Sequence, residues 1–191
     1  MSTKKIPVGV SGRHLHVTRE HLDILYGAGY QLQAVKALSQ PGQFACQETV
    51  DIVGPKGSFK NVRILGPERK KTQIEVALTD AIKLGVKPPV RDSGDLAGSP
   101  GVTIVGPNGS VTLEQGVIAA MRHIHMTPED ATVFGVKDKD IVKVRFEGER
   151  GLIFDQVLIR VSDQFQLEMH IDTDEGNAAM AKTGDQVEII A

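Results

Sequence analysis

Apolar and polar residues alternate over short stretches along most of the chain, and Gly-Pro or glycine-rich turns separate the stretches. That is the pattern of short antiparallel strands. Residues 50–53 and 59–65 flank Gly54-Pro55-Lys56-Gly57 and predict a hairpin. Residues 102–105 and 111–113, around Gly106-Pro107-Asn108-Gly109, predict a second, and 141–146 with 152–161 a third. Predicted helices are few and short. Thr18 stands as an N-cap before residues 19–26, and Thr127-Pro128-Glu129-Asp130 supplies a capping hydroxyl, a proline at the first helical position and acids in the first turn. Gly27 and Gly135 are placed to end these two helices.

One phrase is written twice: Arg13-His14-Leu15-His16-Val17-Thr18 and Arg122-His123-Ile124-His125-Met126-Thr127. In an extended strand residues i and i+2 share a face, so each His-x-His offers two imidazoles to one point while Leu15 or Ile124 faces the other way. On a helix the two side chains would diverge by roughly 200°. Four of the six histidines sit in these phrases, and the repetition together with its helix cap points to two similar metal sites or one site with two metals.

A second repeat supports the first. Residues 73–80 line up with 166–173 by residue type, and Phe59, Val62 and Ile64 match Phe154, Val157 and Ile159. A third echo sets Leu84-Gly85-Val86 against Phe134-Gly135-Val136. On this alignment Glu75 and His170 fall two positions apart, hence on the same face of equivalent strands. Each half then adds a third ligand to its own pair: His14, His16 and Glu75 in one set, His123, His125 and His170 in the other. Three His or carboxylate ligands with a position left open is the composition of a catalytic zinc site.

Composition narrows the classes. At 191 residues the chain can bury a core, and 40% apolar with 24% charged residues is ordinary for a soluble globular protein. No apolar run approaches a membrane span. A net charge of −2, no tryptophan and 4% aromatics argue against a nucleic-acid surface. The single Cys46 cannot form an internal disulfide, which suits a reducing cytoplasm. Arg63, Arg69, Lys70 and Lys71 gather basic charge that could hold a phosphorylated small molecule, although a solvated charged loop is the better account of Lys70 and Lys71.

Residues 9–18, 62–67, 91–94, 122–130 and 170–178, including Arg91-Asp92-Ser93-Gly94 and His170-Ile171-Asp172-Thr173-Asp174-Glu175, together resemble the PduL-type phosphate propanoyltransferases over nearly the whole chain. The resemblance implies a phosphate acyltransferase that interconverts acyl-CoA (propanoyl-CoA or acetyl-CoA) plus phosphate with acyl phosphate plus CoA, at a dinuclear zinc site. It implies a mostly β fold of two related antiparallel β-barrels with short capping helices and the active site between them. The expected division is residues 1–12 plus 121–191 as one barrel, 13–93 as the other with a covering hairpin around 30–47, and 94–120 as a connecting segment. The two zinc ions would be held by His14, His16 and Glu75 and by His123, His125 and His170. Arg69 would bind the phosphoryl group, and Ser11, Lys36, Arg63, Leu65, Ser93 and Asn177 would contact or adjoin the CoA. A homodimer is expected, with no nucleic-acid or membrane partner.

Members that enter bacterial microcompartments for propanediol degradation carry an N-terminal extension. Only a few residues precede the first strand here, which leaves a free cytoplasmic member or a trimmed one. Two other classes fit the metal ligands: a zinc-dependent thioesterase or other metallohydrolase, and a non-enzymatic module that binds zinc for stability. Release of thiol from acyl-CoA with and without phosphate separates transfer from hydrolysis.

Overall fold

The computed structural model describes residues 4–190. In chain order its elements are β1 (Ile6–Ser11), β2 (His14–His16), α1 (Arg19–Tyr26), β3 (Ala34–Ala37), β4 (Phe44–Val53), β5 (Ser58–Gly66), β6 (Gln73–Glu75), α2 (Leu78–Leu84) and β7 (Val90–Arg91). There follow β8 (Thr103–Val105), β9 (Ser110–Thr112), β10 (Val117–Ala120), β11 (His123–Met126), α3 (Pro128–Phe134), β12 (Ile141–Phe146), β13 (Leu152–Val161), β14 (Glu168–Asp172), α4 (Thr173–Ala179) and β15 (Gln186–Ile190). Among the described residues the protein is mostly β with four short helices, in keeping with the few short helices the sequence pattern predicts, and the three predicted hairpins are β4–β5, β8–β9 and β12–β13. None of the described helices is long and apolar enough to cross a membrane.

The chain divides into two units. Unit 1 comprises Met1–Gly12, Ser39–Pro41 and Met121–Ala191; unit 2 comprises Arg13–Leu38 and Gly42–Ala120. Unit 1 is a closed barrel in the order β1-β14-β11-β13-β12-β15. All six strands send residues into one cluster, among them Ile6, Val8, Ile124, Met126, Val144, Phe154, Ile159, Met169, Ile171 and Val187. The barrel is therefore filled by its own side chains, as a barrel of this size must be. Unit 2 is a nine-stranded sheet in the order β7-β10-β6-β2-β5-β4-β8-β9, with β3 paired to β4. Its core is built around Leu15, Leu22, Leu25, Ile52, Ile64, Ile74, Leu84 and Ile104. Residues 94–120, expected as a connecting segment, supply β8, β9 and β10 to this sheet, because Ile104, Val111 and Val117 are apolar enough to join its core.

Strand direction is mixed rather than wholly antiparallel. The pairs β1·β14, β11·β13, β2·β5, β10·β6 and β10·β7 are parallel. Each parallel pair joins strands separated by other elements, so turn signals carry no trace of it.

The two units repeat one plan. In unit 2, His14 lies opposite Glu75 and His16 opposite Gln73; in unit 1, His123 lies opposite His170 and His125 opposite Glu168. Glu75 and His170 are therefore equivalent positions. The alignment by residue type, which set them two apart, is corrected to the offset already seen in Phe59 and Phe154. Asn61 and Gln156 share that offset and share a left-handed backbone, φ 55° and 56°. Each accompanies a bulge, between Val50 and Ile52 in one unit and between Val142 and Val144 in the other. The echo at Gly85 and Gly135 has another origin. Both glycines, and Met180 after α4, end helices in the left-handed conformation with backward backbone bonds, a local solution to helix termination.

The helix caps are as predicted. The Thr18 hydroxyl accepts from the His21 amide, and Thr127 forms a reciprocal capping box with Asp130. Asp172 and Glu175 form a second box on α4. The arginine that opens each His-x-His phrase is also fixed. Arg13 pairs with Asp80 at 2.7 Å and lies 4.1 Å over the Phe59 ring; Arg122 pairs with Glu175 at 3.3 Å and lies 4.8 Å over Phe154. The repeated arginine thus ties its strand to the helix and the ring at matching places in each unit.

Candidate metal centres

Each His-x-His strand buries its middle residue: Leu15 and Ile124 are fully buried in the two cores. The imidazoles are thereby turned to the opposite face, and the antiparallel neighbour brings one further donor beside them. The donor atoms of His14, His16 and Glu75 lie within 4.8 Å of one another, and so do those of His123, His125 and His170.

In unit 2, His14 Nε2 is 3.5 Å from a Glu75 oxygen. Two ligands of one tetrahedral zinc stand about 3.3 Å apart, given metal–ligand bonds of about 2.0–2.1 Å. The His16 ring is edge-on to that of His14, and its Nδ1 donates to the Leu65 carbonyl at 3.1 Å, leaving Nε2 for a metal. Burial, followed by the positive charge of Arg69 and by His14, pushes the His16 pKa down to about 3, against a smaller opposing pull from Glu75. The ring is neutral at pH 7, the form that ligates.

Glu75 is held from behind. Gln73 donates to it at 2.6 Å and to the Ser93 hydroxyl at 2.8 Å, and accepts the Gly94 amide at 2.7 Å. Arg69 donates to Ser93 at 3.3 Å. A single network therefore links Arg69, Ser93, Gln73 and Glu75. Sequence reasoning passed over Gln73, although a glutamine two residues before a ligand on the same strand face is a legible sign.

In unit 1, His123 donates from Nδ1 to the Met121 carbonyl at 2.8 Å, again leaving Nε2. Its ring stacks on His170 with centroids 5.1 Å apart, and His125 meets His170 edge-on at 4.9 Å. Burial, then the neighbouring His123 and His170, pushes His125 down to about 2. Nδ1 of His125 is buried with no hydrogen-bond partner among the described residues. Leaving such a group unpaired costs about 1–3 kcal/mol, so an orphaned nitrogen beside two further imidazoles fits a cation. Both donor sets suit zinc.

The structure assigns the other expected residues to one unit or the other. Ser11 ends β1 opposite Asp172, and Asn177 is exposed on α4, both in unit 1. Lys36 is exposed on β3 and Arg63 lies opposite His14, its guanidinium donating to the Cys46 and Gln47 carbonyls at 2.8 Å. Leu65 acts through its carbonyl on His16. Cys46 is fully buried and burial pushes its thiol up to about 11, so it is no thiolate nucleophile at neutral pH.

The sequence profile of one family, phosphate propanoyltransferase, matches residues 7–182. The chain is 64% identical over 186 residues to the phosphate propanoyltransferase of Thermotoga maritima, covering 97% of this chain and 89% of that one. It is 56% identical to that of Lachnoclostridium phytofermentans (97% and 87% covered) and 55% identical to that of Enterococcus faecalis (90% and 81%). A profile match over most of the chain, with relatives this similar at nearly full length, establishes that the chain belongs to the phosphate propanoyltransferase family.

Proposed function

We propose that this enzyme moves an acyl group, propanoyl or acetyl, between CoA and inorganic phosphate by direct transfer, with two zinc ions held by His14, His16 and Glu75 and by His123, His125 and His170. The observation that carries the reading is the pair of donor triads in matching register, with buried imidazoles kept neutral. A phosphate oxygen forms a bond to the thioester carbon, the carbon–sulfur bond breaks, and the sulfur leaves with the electron pair and takes a proton from solvent. Bound zinc supplies Lewis acidity for the oxygen and sulfur charges that develop.

The protein's own residues orient the reactants. Arg69 presents a guanidinium fork suited to phosphate, and Ser93 fixes it at 3.3 Å. Ser11, Lys36, Arg63, Leu65 and Asn177 are assigned to CoA. No protein nucleophile is required, in keeping with the buried, protonated Cys46. The same reading takes the enzyme to work as a homodimer in the cytoplasm or in a microcompartment lumen during propanediol breakdown.

The test is thiol release from propanoyl-CoA with phosphate present or withheld. Strict phosphate dependence, with acyl phosphate formed in equal amount, is expected. Thiol release indifferent to phosphate would mean hydrolysis and overturn the reading. Full activity after chelation would remove the zinc, and an unchanged rate at low phosphate in Arg69→Ala would remove the role given to Arg69.

A further inference from the structure

We propose that Glu168 is the charge partner of the unit 1 triad, holding His170 and supplying the negative charge that three imidazoles lack. The inference rests on the zinc reading above. Glu168 lies opposite His125, the position that Gln73 holds opposite His16. Its Oε2 is 3.1 Å from Nε2 of His170, so the other ring nitrogen, Nδ1, is the one left for a metal.

The carboxylate is built in rather than draped over the site. The Ser39 hydroxyl donates to it, and Gln40, buried beside Ser39, exchanges two hydrogen bonds with the Gln166 backbone, which anchors the segment to unit 1. Beneath it lies Gly9, where a Cβ would stand 3.0 Å from the Glu168 carboxyl carbon. Glycine on β1 leaves the room that the side chain occupies.

Comparison of the units shows the logic. Unit 2 carries a carboxylate at the ligand position, Glu75, and a neutral amide behind it, Gln73. Unit 1 carries an imidazole at the ligand position, His170, and a carboxylate behind it, Glu168. The charge has changed places between two positions on one strand face, so each unit brings one negative charge to its cation. A carboxylate against a ligating histidine orients the ring and raises its basicity, and losing such a partner typically weakens metal binding about 10–100-fold.

Zinc-loaded protein would be equilibrated against a series of zinc buffers and bound zinc counted per chain by elemental analysis, for wild type, Glu168→Gln and Ser39→Ala. Wild type should hold two zinc ions. Glu168→Gln should lose one of them at free zinc about 10–100-fold higher, and Ser39→Ala should show a smaller loss in the same direction. In a Glu75→Ala background, which disables the unit 2 triad, the single remaining zinc should show the whole shift. The metal-free melting temperature should not change, since glutamine keeps the shape and the Ser39 contact. Superimposable zinc curves would overturn the proposal, as would a lowered metal-free melting temperature with unaltered zinc affinity. Failure of wild type to bind zinc would overturn the zinc reading along with it.

Discussion

Replacing Gln73 by leucine roughly keeps the side-chain size and removes the hydrogen bond from Gln73 to Glu75, leaving behind the carboxylate the Ser93 hydroxyl at 3.3 Å. Gln73 is 2% exposed and makes three hydrogen bonds, one of them to a carboxylate. A bond to a charged group contributes about 2 kcal/mol and each neutral one about 1 kcal/mol, while the apolar replacement returns about 1 kcal/mol. The expected net loss is about 3 kcal/mol, a fall in melting temperature of about 6–12 °C for a chain of this length. Freed from its support, Glu75 should also hold zinc about 10–100-fold more weakly. Urea denaturation of metal-free protein measures the first quantity and zinc-buffer titration the second. If Gln73→Leu lowered stability by less than about 1 kcal/mol, below the ordinary worth of one such bond, and bound zinc as wild type does, the network would be a bystander and the reasoning refuted.

Three further outcomes are expected. His16 and His125 have folded pKa values of about 3 and about 2, below the ordinary value of about 6.5, so the unfolded chain binds more protons in between. Stability of the metal-free protein is then complete above about pH 6.5 and falls as the pH drops below it towards the folded values; an equal urea midpoint at pH 7.5 and 5.5 would contradict this. Arg13→Ala strands the buried Asp80 carboxylate and should cost about 2–3 kcal/mol, while Arg122→Ala, whose pair with Glu175 is longer, should cost about 1–2 kcal/mol; thermal melts in which Arg122→Ala is the more damaging would reverse the assignment. Cys46→Ala should retain acyl transfer with unchanged phosphate dependence, and loss of turnover in folded protein would revive a thiol mechanism.

The hairpins were legible because Gly-Pro or glycine-rich turns punctuate them, and the caps because Thr18 and Thr127 stand at fixed distance from apolar helix faces. The triads were legible although the repeat alignment was two residues out over β6 and β14. Side chains on a strand alternate with period two, so a slip of two keeps every residue on its own face. A slip of one would have sent Glu75 and His170 to the core side. The slip did conceal the partners behind the ligands: residue-type similarity drew Gln73 to Gln166, whereas strand register sets it against Glu168. Parallel pairings such as β1·β14 depend on packing between distant segments, and no local residue type announces them.

The chain supplies β1 to unit 1 and β2 to unit 2, then β10 to unit 2 and β11 to unit 1. This has a consequence for synthesis. By the time residue 120 has emerged, unit 2 has all its described strands, whereas β1, made earlier, still waits for β14 and β15. At about 5–20 residues per second that interval lasts on the order of several seconds. Throughout it, Ile6 and Val8, fully buried in the folded barrel, lack the strand partners that cover them there. Closing the barrel then joins residues far apart along the chain, Val8 with Met169 and Ile6 with Val187, so unit 1 carries a loop-closure cost that the local hairpins of unit 2 do not.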